Sequence, residues 1–233
     1  MVSKTRMFEL VKSHDAACVA AALAESPDLL AWRDERGRNW LHVCCGAAVK
    51  GDAARAEASV ETAKVLLAAG LPIDQEAFRE GDWKATPLWY AVGRGENLTL
   101  AEFLLNQGCN PNYCLWAASF GNDLEAIRLL VRHGADLEDP SAGDSPFLGA
   151  VKWSHFGPAE ELLKLGADVN ARDAAGLTAL HLMLKKASDR RHFAMLIAHG
   201  ARGDIPDPSG LTARDIMRRK KDPEFRAMAE QLG

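Results

Sequence analysis

The chain has 233 residues, 48% of them hydrophobic and 26% charged, with 28 Lys and Arg against 32 Asp and Glu for a formal charge of −4. That is enough chain to bury a sizeable core, and too apolar a composition for a disordered segment. The slight acidity excludes a global pull toward nucleic acid or anionic membranes, and five cysteines in a chain of this size read as reduced thiols of a cytoplasmic protein.

The first segment, MVSKTRMFELVKSHDAACVAAALAESP, is interrupted by Lys4, Arg6, Glu9, Lys12, His14 and Asp15, so it is no secretory signal. Nothing later is long and apolar enough to cross a bilayer, and no membrane partner is expected. The segment predicts two helices, residues 6–12 and 15–25, the second N-capped by His14 or Asp15. Together they form an N-terminal helical cap.

From there on a phrase recurs. A Leu-rich run followed by Gly-Ala-Asp, or a variant of it, stands at LLAAGLPID (66–74), LLNQGCNPN (104–112), LLVRHGADLE (129–138), LLKLGADVN (162–170) and LIAHGARGD (196–204). An answering phrase opens at Asn39 (NWLHVCC), Thr86 (TPLWYAV), Asn112 (NYCLWAA), Ser145 (SPFLGAV), Thr178 (TALHLML) and Thr212 (TARDI), at intervals of 47, 26, 33, 33 and 34 residues. Thr or Ser can cap a short helix, and Pro beside it suits the first helical turn. Leu180, Met183 and Leu184 then lay one apolar stripe along that helix. A second helix, such as 124–132 or 159–165, carries the Leu pair and ends at a Gly suited to a left-handed cap. DERG from Asp34, DAAG from Asp173 and DPSG from Asp207 supply turn residues for the links. Such helix pairs cannot bury their apolar faces alone and must stack.

A period near 33 in this vocabulary resembles the ankyrin repeat family over about residues 33–232. The resemblance implies an all-α, ankyrin-like repeat solenoid of stacked helix-turn-helix units with β-turn links and helical caps. The whole chain is then one domain. The cap spans 1–32, repeat 1 with an insertion 33–74, repeat 2 75–112, a shortened repeat 3 113–138, repeat 4 139–170, repeat 5 171–204, and a C-terminal capping repeat 205–233. In that last repeat, Asp222, Pro223 and Glu224 start a helix whose residues 225–232 seal the stack, and Arg218, Arg219, Lys220 and Lys221 complement the end of the helix before it.

The long interval holds two insertions, 49–61 between the helices of repeat 1 and 74–85 before Thr86. Whether 49–61 extends a helix or forms a loop is open from sequence. The short interval leaves almost no link between Gly108 and Asn112, so helix pairs should stack there without a projecting turn. In repeat proteins insertions usually map to loops on one face, often the binding face.

No catalytic constellation is present: there is no Gly-x-Ser-x-Gly, no phosphate-cradling Gly-rich loop and no His-Glu-x-x-His. His42, Cys44, Cys45, Cys109 and Cys114 could be gathered into a metal site. However, Cys44 and Cys114 hold slots where the repeat buries Ala and Leu, and free Cys packs as a small hydrophobe. His42 and His181 hold the His of the repeat, which binds the neighbouring link. Trp89 replaces it in repeat 2 as packing, and Trp116 is read as core. The basic run at 218–221 lacks interleaved aromatics, so no nucleic-acid partner is expected. No cofactor and no metal are expected.

The resemblance further implies a non-catalytic protein–protein interaction module that grips one partner protein with the concave face of its inner helices and turns. The two exposed inner-helix positions fall, repeat by repeat, at Gly46 and Ala47, Gly93 and Arg94, Ser119 and Phe120, Lys152 and Trp153, Lys185 and Lys186. Phe120 and Trp153 are aromatic where the slot is ordinarily polar. From the turns, Arg36, Arg38, Trp83, Lys84, Asp144 and Leu177 join them. The partner-binding set is thus Arg36, Arg38, Trp83, Lys84, Arg94, Phe120, Asp144, Lys152, Trp153, Leu177, Lys185 and Lys186. Irregular repeats suit a dedicated inhibitor, such as an immunity protein that neutralises a toxin, acting as a monomer. The alternatives are an adaptor or secreted effector that engages a host protein and, from another class, a cysteine-based metal or redox sensor.

Overall fold

Helices of six to nine residues are too short to persist alone in water, so tertiary packing must hold them. A computed structural model describes residues 1–80, 83–140 and 143–232. In chain order the elements are α1 (Lys4–Lys12), α2 (Ala16–Glu25), a 3-10 turn (Pro27–Ala31), α3 (Trp40–Cys45), α4 (Ala53–Ala68), β1 (Arg79–Glu80), β2 (Trp83–Lys84), α5 (Pro87–Gly93), α6 (Leu98–Asn106), α7 (Cys114–Phe120), α8 (Leu124–Arg132), α9 (Pro146–Trp153), α10 (Phe156–Lys164), α11 (Ala179–Lys186), α12 (Arg190–Ala198), α13 (Ala213–Arg218) and α14 (Pro223–Gln231). They fall into two compact units, Met1–Ala118 with Arg132–Ala135, and Ser119–Val131 with Asp136–Gly233. The fold is all-α apart from the β1–β2 hairpin, which pairs Arg79 with Lys84 and Glu80 with Trp83, and two isolated bridges.

In the first unit α1, α3 and α5 form one row, with α2, α4 and α6 stacked behind them. All six residues of α3 are buried. In the second unit α9, α11 and α13 form the row, each paired with the helix that follows it. These are the stacked helix-turn-helix units that the sequence predicts. The N-terminal cap starts from Asp15, not His14: the Asp15 carboxylate accepts the Cys18 N–H. Trp40 anchors that end, with its ring stacked 4.0 Å from Trp32 and its indole N–H donated to Leu29 O at 2.7 Å.

The links repeat one device. Asp34, Asp173 and Asp207 each turn a carboxylate oxygen back to accept two backbone N–H groups, from Arg36 and Arg38, Ala175 and Leu177, and Ser209 and Leu211. The glycine closing each turn takes φ of +79°, +76° and +84°. An L side chain is strained there, which is why each link reads Asp-x-x-Gly.

The insertion at 49–61 is mostly helix. It extends α4 to 16 residues and is N-capped by Asp52. Ser59, fully buried within it, accepts from Asn97 Nδ2 at 2.8 Å and so ties α4 to the start of α6. The second insertion carries the β1–β2 hairpin. Helix α10 begins earlier than expected, at Phe156, because Pro158 lies in its first turn, where a missing N–H costs nothing. Trp116, expected in the core, is only half-buried.

Two histidines join successive links. His181 Nε2 lies 3.3 Å from Leu211 O, and its Nδ1 receives the Thr178 hydroxyl at 2.9 Å. His42 Nε2 lies 2.8 Å from Gln75 O, but its cap is Asn39. The Asn39 amide oxygen accepts the His42 N–H at 3.2 Å and stands 2.7 Å from Nδ1 with no proton to give. Its buried Nδ2 has no partner among the described residues. A threonine hydroxyl can donate to Nδ1 and leaves no orphaned amide. Asn39→Thr is therefore expected to stabilise the protein by about 1 kcal/mol at neutral pH. A denaturant midpoint unchanged or lowered would contradict this.

Burial, helped by Arg38 and Arg33, pushes the His42 ring down from 6.5 to about 4. The unfolded chain therefore takes up the proton first. Stability is complete above about pH 6.5 and is lost as the pH falls toward the folded value. Between about pH 7 and pH 5 this one ring should remove about 2 kcal/mol of unfolding free energy. Chemical denaturation across that window tests it; a flat profile would show that the ring takes up its proton in the fold at the same pH as in the unfolded chain.

Candidate protein-binding site

In the first unit, three of the predicted cations meet. Arg36, Arg38 and Arg94 line one cavity of about 510 Å³, together with His42, Gly46 and Ala47 from α3 and its C-terminal end. Asp34, which shapes the first turn, also pairs with Arg38 at 2.6 Å. Burial opposes its charge, but the Arg38 hydrogen bonds outweigh it and hold the carboxyl below the usual range. The Arg38 guanidinium lies 5.8 Å from the Tyr90 ring centre, and that of Arg36 lies 5.9 Å from the Phe78 ring centre.

Sequence reasoning missed four further lining residues: Phe8, Lys12, Phe78 and Tyr90. Phe8 left a trace, since it falls beside the buried Met7, Leu10 and Val11 of α1 and stays exposed. Phe78 belongs to an insertion without periodicity and left none. Lys84 stands apart from this cavity, paired with Glu76 at 2.6 Å and 5.8 Å from the Tyr113 ring centre. The Trp83 side chain lies outside the described residues.

The second unit carries the aromatic anomaly. Phe120 is 56% exposed, and its ring meets Trp153 edge-to-face at 5.1 Å and 86°. His155 lies 6.1 Å from both rings, and its Nδ1 bonds Ser119 O at 3.1 Å. Ser119, expected on the exposed face with Phe120, is fully buried, and Ala47 is buried as well. Ser119 lies in the last turn of α7, whereas Ala47 follows the Gly46 C-cap of α3.

Lys152 bridges two links. Its Nζ is 2.9 Å from Asp144 and 2.9 Å from Asp173. Burial works against its charge, yet hydrogen bonds to the two carboxylates overcome this and raise its pKa. Asp144 and Lys152 are therefore engaged within the unit. Lys186 donates to Lys152 O, Lys185 is exposed, and Leu177 is half-buried in its turn.

The thiols sit as packing. Burial pushes Cys44 and Cys109 up to about 12 and Cys45 well above its ordinary value. The thiolate is the form that binds metals and reacts, and these thiols stay protonated. Among the described residues no three His, Cys, Asp or Glu side chains gather where they could hold a metal ion. No helix among them is long and apolar enough to cross a membrane.

Comparison with known proteins places this geometry. The family model described as ankyrin repeats (3 copies) matches residues 50–141 and 90–173, together more than half of the chain. The chain belongs to the ankyrin repeat family. Among its relatives are inversin of Gallus gallus, 32% identical over 114 residues, covering 48% of this chain and 10% of that protein, and the potassium channel AKT2/3 of Arabidopsis thaliana, 33% identical over 121 residues, covering 48% and 14%. A putative ankyrin repeat protein of fowlpox virus is 30% identical over 146 residues, covering 61% and 24%. The match thus spans less than a quarter of these relatives' own lengths. Among solved structures, the ankyrin repeat domain of Bcl-3 superposes with a TM-score of 0.75 at 19% identity, covering 96% of this chain and 97% of that one. The human ASB11 ankyrin repeat domain gives 0.72 at 20%, covering 97% of each. At such identities these two likenesses speak for the fold alone.

Ankyrin repeats are general protein-interaction modules, and the Lys152 bridge bears on how this one keeps its turns in place. Lys152→Met would leave Asp173, whose side chain is 4% exposed, without its cation. The cost expected is about 1 kcal/mol, since Lys152 itself is one-third exposed. Equal denaturant midpoints for the variant and the parent would mean the bridge contributes nothing.

Proposed function

We propose that this ankyrin repeat protein binds one partner protein, without catalysis of its own, through the surface that carries Phe120 and Trp153. The observation behind it is the edge-to-face pair of exposed Phe120 and half-buried Trp153 at the end of α7 and α9, at positions that ankyrin repeats ordinarily give to polar residues. A Phe at 56% exposure costs solubility and returns nothing to the core, whereas aromatic side chains with few rotatable bonds make effective interface anchors. Within the same unit Lys185 and Lys186 supply cations and Leu177 an apolar side chain, while Arg36, Arg38, Lys84 and Arg94 are the cations that the first unit offers a partner.

The specific role we infer is that of a dedicated inhibitor, such as an immunity protein neutralising a toxin in the cytoplasm, with the free chain a monomer. Unequal repeats and two insertions in repeat 1 and its link suit one partner better than many. Free, protonated thiols are compatible with a reducing compartment.

The test is a pull-down of tagged full-length protein from its native lysate, read by mass spectrometry, beside a folded Phe120→Asp/Trp153→Asp variant. Loss of one dominant partner is expected, with affinity falling about thirtyfold for an anchor worth about 2 kcal/mol. A partner held equally by both proteins would move the binding surface elsewhere. A partner acted on chemically by the protein would end the non-catalytic reading.

A further inference from the structure

The cavity of the first unit differs in chemistry from the Phe120–Trp153 pair. Lys12 comes from α1, Arg36 and Arg38 from the first turn, and Arg94 from the C-terminal end of α5, so three separate elements bring their cations to it. None of the lining residues carries a carboxylate. Arg38 is paired with Asp34, whereas Lys12, Arg36 and Arg94 have no ion-paired carboxylate among the described residues. Of the four large apolar side chains that are exposed among the described residues, two, Phe8 and Phe78, line this cavity. Gly46 packs closely against Tyr90 within it: a Cβ there would stand 3.2 Å from the Tyr90 ring. The lining therefore joins cations to an aromatic and apolar surface.

We infer that this cavity is a docking site for a short acidic segment of a partner protein, with an apolar side chain against Phe8 and Phe78 and flanking Asp or Glu carboxylates on Arg36, Arg94 and Lys12. The inference deepens the partner-binding reading by naming the chemistry that a second surface takes. Charge decides the occupant. The chain as a whole is −4, so the cavity is a local reversal of sign. A long polyanion such as nucleic acid feels the whole molecule, whereas a short segment within about one Debye length, roughly 8 Å at physiological salt, feels these cations. The spread of the cations favours an extended chain with several carboxylates over a single compact anion. The exposed phenylalanines give such a segment apolar contact that a phosphate backbone lacks.

The experiment is selection of a random short-peptide display library on the immobilised full-length protein, followed by fluorescence anisotropy with the enriched peptide. The expected result is enrichment of peptides carrying Asp or Glu around one apolar residue. Their Kd should rise at least about tenfold in Arg36→Glu/Arg94→Glu, and less in the neutral Arg36→Gln/Arg94→Gln. Both variants change exposed side chains, and matching thermal midpoints check that they remain folded. Binding should weaken as salt is raised and survive in Phe120→Asp/Trp153→Asp, which separates this site from the aromatic pair. Enriched peptides without acidic bias, no enrichment, or an affinity indifferent to both arginine variants would each overturn the inference. So would a single-stranded oligonucleotide that binds the same arginines more tightly than the peptide. None of these results would bear on a lysate partner that is lost with Phe120 and Trp153, so the two readings fail separately.

Discussion

The structure depends on inner helices that cannot stand alone. Helix α3 has six residues and buries every one of them, so it exists only because α1 and α5 cover its sides and α4 its back. Histidine completes the arrangement from within. The ring of His42 reaches Gln75 O and that of His181 reaches Leu211 O, so each inner helix holds the link of the unit that follows. The apolar stacking is non-directional; the imidazole bond, with its fixed geometry and buried ring, supplies the spacing between one link and the next.

That scaffold leaves a limited set of side chains for function, and they divide by chemistry. In the first unit, cations and exposed rings line one cavity. In the second, Phe120, Trp153 and His155 form an aromatic cluster, while Lys152 is held between Asp144 and Asp173. A net charge of −4 conceals this, because the acidic residues are spent elsewhere: on helix caps, on the turns and on ion pairs such as Arg128 with Glu161. What the molecule offers a partner is the local charge, not the total.

Much of this was legible because ankyrin-type links need particular residues. Asp-x-x-Gly appears at 34, 173 and 207 since one carboxylate must receive two N–H groups and one residue must take positive φ. Phe120 and Trp153 were legible as aromatics in polar slots, and Arg36, Arg38 and Arg94 as turn and inner-helix cations. Phe8, Lys12 and Phe78 were not, because no periodicity relates a capping helix or an insertion to the cavity they line. Ser119 and Ala47 were assigned to the exposed face by counting, and the structure buries both, because burial there is set by neighbouring helices and not by position in the repeat.

By itself, the sequence determined that short capped helices recur in pairs, that Asp-x-x-Gly links join them, and that they must stack, because caps, breakers and apolar stripes act over a few residues. Only the tertiary structure decided that the insertion at 49–61 would lengthen α4, that Lys152 would be shared by two carboxylates, and that cations from α1, the first turn and the end of α5 would line one cavity. Those outcomes depend on distances between residues far apart in the chain, set by how each helix pair packs on the next, and no local signal encodes them.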